Sequence, residues 1–214
     1  MAGSSLVLSD DSLLSKFDRQ LYRLESKLAL VSGLAVFGMM LLAVFSVGGR
    51  NLFGQPLPGY VDWIEQAMPL IAFMGISFTQ REGGHIRMDM FVGALRGRAL
   101  YSVEFITTLA VLILMILMVW GSWAHFARSF DFGAPLWSRD SSMDISLPLW
   151  PAKLLAPIAF SVLCSRLLLQ LWAYGRAFYR NDGHAIAVPL IADAATQAAL
   201  EAEHVSSHDK QGEV

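Results

Sequence analysis

The sequence predicts an all-α integral membrane protein with four transmembrane helices and additional amphipathic helices at the membrane interface. Of its 214 residues, 55% are hydrophobic and 16% are charged, whereas a typical soluble domain has about 25% charged residues. Residues 28–49 and 105–127 contain no Asp, Glu, Lys or Arg. Each run reaches the length of about 20 residues that crosses the hydrocarbon core of a bilayer. These features exclude a soluble globular enzyme.

Two further spans contain charged residues. We predict the second span at about residues 61–80, with Glu65 near its start, and the fourth at about 147–174, with Lys153 and Arg166 inside it. Prolines stand early in both segments, where a helix tolerates a missing N–H. A fourth helix that begins near residue 147 brings Arg166 close to its cytoplasmic end, where we expect the side chain to snorkel. A later start buries Arg166 and requires a polar partner.

The positions of the basic residues predict the orientation of the spans. Four precede the first span, one separates the first two spans, four separate the second and third, two separate the third and fourth, and two lie directly after the fourth. Cytoplasmic loops carry an excess of Lys and Arg, so both termini and the central loop are predicted to be cytoplasmic. The groups are Lys16, Arg19, Arg23 and Lys27; Arg50; Arg81, Arg87, Arg96 and Arg98; Arg128 and Arg139; and Arg176 and Arg180.

The segment before the first span has helical periodicity of its own. Its apolar residues recur every three or four positions, and basic residues occupy the opposite face, as in a helix that lies in the membrane interface. Docking onto a partner subunit is the alternative. We therefore divide the chain into a cytoplasmic segment with an amphipathic helix (1–27), a transmembrane domain (28–175) and a polar cytoplasmic tail (176–214). The apolar residues are Leu14, Phe17, Leu21, Leu24 and Leu28.

No catalytic, cofactor or metal site is predicted. Only His125 of the five histidines lies in a span, so no pair of histidines is placed to hold a haem. The single cysteine, Cys164, stands among apolar residues and is expected to be an inert packed thiol. A net charge of −2 gives no basic field for nucleic acid. We therefore predict neither an enzyme nor a nucleic-acid-binding protein.

The outer hairpin between the first two spans contains three candidate structural residues. Asp62 and Glu65 have the spacing of a capping box at the start of a helix, where carboxylates are favoured. Arg50 flanks the same loop and is expected to pair with one of these acids. A proton-coupling role for Glu65 and contact with a partner subunit are the alternatives. Gly75, in the middle of the second span, is predicted to permit close helix approach; an ordinary membrane-helix glycine is the alternative.

The turn after the second span is rich in polar residues. Gly83 and Gly84 permit left-handed backbone there, and the neighbouring polar groups are candidates to bind helix ends, a lipid phosphate or a larger subunit. We favour positioning at an interface over simple solvation. The candidates are Arg81, His85, Arg87 and Asp89.

The order of these features resembles the DctQ family, the small membrane subunit of tripartite ATP-independent periplasmic (TRAP) transporters. The family pattern has Arg-Asn after the first helix, an acid at the start of the second and a small residue within it. An Arg, a Gly and a His-Ile/Val-x-x-Asp segment follow. The matching segments are GRNLF (49–53), PLPGYVDWIE (56–65), QREGGHIRMD (80–89) and ISLPLWP (145–151).

The resemblance implies a non-catalytic subunit in the inner membrane of a bacterium. Its partners would be membrane lipids, a large TRAP membrane subunit and a periplasmic substrate-binding protein. It would brace the large subunit during sodium-coupled uptake of an organic anion, with no cofactor of its own. Two alternatives remain open: a self-contained, oligomeric four-helix transporter or channel, and an anchor or assembly factor of another membrane complex.

Overall fold

The described part of the chain, residues 13–81 and 98–180 of a computed structural model, is built from helices. A short 3-10 turn, Pro135–Trp137, lies in the connection between the last two helices. No strand occurs in these residues beyond two isolated bridges. The helices are α1 (Leu13–Phe53), α2 (Tyr60–Met74), α3 (Ile76–Arg81), α4 (Arg98–Ser129) and α5 (Trp150–Arg180).

The helices form an up-and-down bundle. Side-chain contacts run antiparallel along α1 and the α2–α3 pair, from Ser32–Ile71 to Ser77–Glu25. Helices α4 and α5 are also antiparallel, and α5 packs against α2 and α3 as well. Residues 13, 81, 98 and 180 therefore lie at one end, which we call the terminal end. Connections 54–59 and 130–149 lie at the opposite loop end.

Three helical segments are long and apolar enough to cross a membrane: Leu13–Phe53, Leu100–Ser129 and Trp150–Tyr179. They correspond to the predicted first, third and fourth spans. The predicted second span is divided into α2 and α3, of 15 and six residues, which meet at Gly75. Neither piece has spanning length alone, so the structure does not confirm the count of four.

Helix α1 is longer than the predicted first span. Its 41 residues are continuous, so the N-terminal segment is an extension of the first span rather than a separate surface helix. The side chains that it buries also differ from the expected leucine face, because Phe17 and Leu24 are exposed while Asp18 and Glu25 are buried. The two acids are buried because they pair with arginines of α3 and α5 inside the bundle.

Two apolar clusters hold α4 against α5. Near the middle of the bundle, Leu112 packs on Leu163 and Leu167. At the terminal end, Leu14 of α1 joins a second cluster with α4 and α5, in which alanines let the helices approach closely. Its other members are Tyr101, Ala173, Tyr174 and Ala177. Large apolar side chains cover much of the outer surface of α1 and α4, as lipid-facing or partner-facing helices require.

A left-handed glycine fixes the start of α2. Gly59 has φ +72°, and a Cβ at this position would lie 2.5 Å from Ile145 Cδ1. We expect Gly59→Ala to lower the free energy of unfolding by about 1–2 kcal/mol through backbone strain alone, with an added cost for moving Ile145. Thermal unfolding in detergent, followed by circular dichroism, measures the change.

Gly54 provides the matched control for this substitution. It follows α1 with φ +71°, but no atom lies within 4 Å of a Cβ built there. Gly54→Ala is therefore expected to show the backbone cost without the clash. Equal losses for the two variants would contradict a close approach of Ile145 to Gly59.

Candidate functional site: a buried ionic cluster

Four charged side chains meet inside the terminal half of the bundle. Asp18 and Glu25 come from α1, Arg81 ends α3 and Arg166 lies in α5. Their exposed fractions are 3%, 0%, 6% and 0%. We call these four residues the ionic cluster. It joins three helices that are far apart in sequence.

Arg166 is the centre of the cluster. Its Nε donates to Glu25 Oε1 at 2.8 Å, and its Nη2 donates to Glu25 Oε2 at 2.5 Å. Its Nη1 donates to Asp18 Oδ1. Such bidentate, charge-assisted pairing is the strongest kind of side-chain hydrogen bonding available to arginine. Arg166 thus holds both acids of α1 at once.

Arg81 holds the second oxygen of the same aspartate. Its Nη2 lies 3.0 Å from Asp18 Oδ2, and its Cζ lies 4.1 Å from the centroid of the Tyr22 ring. Tyr22 stacks in turn on Phe78, with ring centroids 6.1 Å apart. The guanidinium is therefore fixed by an ion pair and by a cation–π contact.

Neutral polar groups complete the surroundings of the cluster. Ser77 Oγ donates to Glu25 Oε1 at 2.5 Å, and Gln80 Nε2 donates to Gln170 Oε1 at 2.9 Å. Gln170 Nε2 is buried and has no hydrogen-bond partner among the described residues. The two acids of the cluster are thus well supplied with hydrogen-bond donors, whereas this amide nitrogen is left unmatched within the described residues.

The tryptophans of α5 have the spacing expected for the two interfaces of a membrane. Trp150 and Trp172 are separated by 22 residues, or about 33 Å along a helix, close to the thickness of a hydrocarbon core. Tryptophan is enriched at both membrane interfaces. Arg166 lies six residues before Trp172, about 9 Å inward. The expectation that Arg166 snorkels is wrong, because its side chain is fully buried and is paired with Asp18 and Glu25.

The cluster is formally neutral, with two carboxylates and two guanidinium groups. Charges removed from water carry a large desolvation penalty, which only close pairing and additional hydrogen bonds offset. Every one of the four has at least one ionic partner. In the described residues no group of three or more His, Cys, Asp or Glu could hold a metal ion. The arrangement is suited to fastening α1, α3 and α5 together.

A second polar network ties the loop end together around Asp62. Its carboxylate accepts hydrogen bonds from Ser142 Oγ and the Ile145 N–H, both at 2.7 Å, and from the Asp144 N–H at 3.2 Å. Asp144 Oδ2 in turn accepts a hydrogen bond from the N–H of Gly59 at 2.9 Å. The start of α2 is therefore fastened to the segment that leads into α5.

These contacts correct two predictions for the outer hairpin. Asp62 binds the 142–145 segment and not Arg50, and Arg50 makes no ion pair within the described ranges. The residue that precedes α2 is Gly59, which offers no side-chain cap, so the predicted capping box does not form. Glu65 lies one turn later and is exposed. The two acids differ in burial because Asp62 faces the 142–145 segment and Glu65 lies on the exposed side of α2.

Lys153 anchors the remaining part of the loop. Its Nζ lies 2.6 Å from Asp140 Oδ2 and 3.1 Å from Ser129 Oγ. The hydrogen bonds from Lys153 and Ser129, with the charge of Lys153, hold the pKa of Asp140 below its ordinary value. Trp150 Nε1 donates to Leu136 O at 3.1 Å. The connection between α4 and α5 is therefore bonded to both helices.

The structure brings together only some of the predicted site residues. Arg81 and Arg166 share the ionic cluster, and Gly75 marks the junction of α2 and α3. The candidates His85, Arg87 and Asp89 lie outside the described residues. Sequence reasoning missed Asp18 and Glu25. The sequence did contain an indication of their role: the two acids are seven residues apart and so share a helix face, in a segment otherwise rich in Lys and Arg.

Comparison with known proteins identifies the family. The family model described as "Tripartite ATP-independent periplasmic transporters, DctQ component" matches residues 39–175, which include Arg81 and Arg166 but not Asp18 or Glu25. No curated protein sequence matches the chain. The match covers more than half of the chain and agrees with three apolar helices of spanning length. The chain is therefore a multi-pass membrane protein that belongs to the DctQ family, the small membrane component of TRAP transporters.

Proposed function

We propose that this chain is a non-catalytic brace in a TRAP transporter of a bacterial inner membrane. The observation that carries the proposal is the ionic cluster: four buried charges pair with one another and fasten three helices. A transport path needs polar groups that are available to a substrate or ion at the middle of the membrane. The charges of the ionic cluster bind one another and are therefore not available to a substrate or ion. This favours a rigid supporting element over a transport path.

We infer four spans, with both termini on the cytoplasmic side. Helices α2 and α3 together cover 22 residues, about 33 Å of helix, and their contacts with α1 continue from Ser32 to Asp18. Gly75 keeps right-handed backbone angles, with φ −86° and ψ −12°, so α3 can extend α2 across the membrane. The alternating basic groups then assign the terminal end to the cytoplasm.

The large TRAP membrane subunit is the proposed main partner. Helix α1 presents a long apolar surface between its two polar ends, and most of it has no contact with the rest of the bundle. In this arrangement the subunit packs against that surface, while a periplasmic binding protein delivers an organic anion and sodium ions drive its uptake. The exposed apolar residues of α1 include Leu34, Phe37, Leu41, Val44 and Phe45.

Reconstitution tests the proposal directly. Liposomes containing the large membrane subunit and this chain, supplied with the cognate binding protein and a sodium gradient, are expected to accumulate radiolabelled substrate. Liposomes lacking either membrane component should show only background uptake. Solute movement by this chain alone would overturn the bracing role and favour a self-contained transporter.

Association is measured separately from transport. The tagged chain, solubilised in mild detergent, is expected to co-purify with the large subunit when both are expressed. Phe37→Asp on the exposed face of α1 should reduce the recovered large subunit, whereas the loop substitution Arg139→Gln should not. Recovery of unrelated membrane components in place of the large subunit would favour an assembly factor of another complex.

A further inference from the structure

A lateral cleft near the loop end lies between α2, α4 and α5. Its volume is about 400 Å³, and it is lined by Glu65, His125 and Lys153 together with smaller and apolar residues. Glu65 and His125 are exposed, so the cleft opens to the surroundings of the bundle. It is separate from the ionic cluster, which lies in the terminal half.

The three ionisable side chains of the cleft lie at one depth. Glu65 follows Trp63 by two residues, His125 follows Trp123 by two, and Lys153 follows Trp150 by three. Trp63 and Trp123 are 49% and 54% exposed. Because exposed tryptophans concentrate at the level of lipid headgroups, the polar mouth of the cleft lies at that level.

The walls become apolar toward the middle of the bundle. On α2, Glu65 is followed in the cleft by Pro69 and Phe73, and on α5, Lys153 is followed by Ala156. From Glu65 to Phe73 the wall extends about 12 Å along the helix axis. A polar mouth above an apolar slot matches the polarity of a lipid, whose headgroup remains at the interface while a chain enters the slot.

The charges at the mouth select among headgroups. Lys153 already neutralises Asp140 and uses two of its three donors on Asp140 and Ser129, which leaves one N–H for a phosphate oxygen. Glu65 has no hydrogen-bond or ion-pair partner in the described part of the chain and offers a carboxylate to a cation. An acceptor beside a donor fits a zwitterionic headgroup with a primary ammonium better than an anionic one.

We propose that this cleft binds one phospholipid of the phosphatidylethanolamine type. Glu65 accepts hydrogen bonds from the ammonium group, Lys153 and His125 donate to the phosphate, and one acyl chain lies between Phe73 and Ala156. The site is distinct from the bracing role, because its occupancy requires neither transport nor the large subunit.

Native mass spectrometry tests lipid retention. The full-length chain is reconstituted in vesicles containing equal amounts of phosphatidylethanolamine, phosphatidylglycerol and phosphatidylcholine, then released under mild activation. We expect one phosphatidylethanolamine to be retained at least several-fold above the other two lipids. Equal retention of all three, or preference for phosphatidylglycerol, would overturn the proposal.

Two variants locate the retained lipid. Ala156→Trp fills the slot and should abolish selective retention, and Glu65→Gln should reduce the preference for phosphatidylethanolamine over phosphatidylcholine several-fold. The matched control is Ala110→Trp, on the exposed surface of α4 outside the cleft, which should retain the lipid normally. Unchanged retention in Ala156→Trp would place the lipid elsewhere. Loss of the lipid when the large subunit is co-expressed, with weaker association in Ala156→Trp, would identify the cleft as a subunit interface instead.

Discussion

Replacing Arg166 with leucine is expected to lower the free energy of unfolding of the bundle by about 3–5 kcal/mol, the usual cost of breaking a buried ion pair from one side. Arg166 is fully buried and donates to both Glu25 and Asp18. Leucine fills part of the space but leaves Glu25 in the interior without its cation. The loss comes mainly from this uncompensated charge.

A double substitution separates the charge from the packing. In Arg166→Leu with Glu25→Gln, the pair between Asp18 and Arg81 remains, and residue 25 no longer carries a charge. We expect the double variant to recover about 1–3 kcal/mol of the loss, since contacting residues couple by up to that amount. Recovery of nothing would indicate that packing of the arginine, rather than charge balance, supplies the stability.

Denaturant titration in a fixed detergent micelle measures these differences through tryptophan fluorescence. Arg139→Gln provides the surface control, because Arg139 pairs with Asp131 while 60% of its side chain is exposed. Exposed pairs of this kind contribute little, so the midpoint should scarcely move. An Arg166→Leu midpoint that matches the control would show that the ionic cluster does not stabilise the bundle.

The apolar pattern of the sequence predicted the long helices well because it reports local chemistry. The uncharged runs at 28–49 and 105–127 lie inside α1 and α4, and the fourth predicted span overlaps α5 almost completely. These helices need lipid-compatible side chains over about 20 consecutive positions. The family resemblance, which drew on the order of short segments, is confirmed by the match over residues 39–175.

Pairing between distant residues was not predictable from the same pattern. Arg166 and Glu25 are 141 positions apart, and local periodicity does not predict that these two side chains form an ion pair. The leucine repeat of the N-terminal segment suggested a surface helix, yet burial of its acids decided which side of α1 faces inward. Asp62 had a local explanation as a helix cap, whereas its actual partners lie 80 to 83 residues later.

Asp62→Ala is expected to release the 142–145 segment from the start of α2. The variant removes three hydrogen bonds to one carboxylate, from Ser142 and from the N–H groups of Asp144 and Ile145. Hydrogen bonds to charged groups are stronger than neutral ones. The Ile145 amide should therefore exchange its hydrogen on the order of ten times faster, as local opening becomes easier.

Glu65→Ala is the matched control, because it removes an acid one turn further along α2. Glu65 is exposed and makes no hydrogen bond in the described residues, so exchange at residues 142–145 should remain unchanged. Hydrogen–deuterium exchange of the full chain in detergent, followed by mass spectrometry of peptides spanning 138–150, measures both variants. Faster exchange in Asp62→Ala should be confined to these peptides and to the start of α2, since Asp144 also binds the N–H of Gly59. Equal exchange in the two variants would mean that Ser142 and Asp144 hold the segment without Asp62.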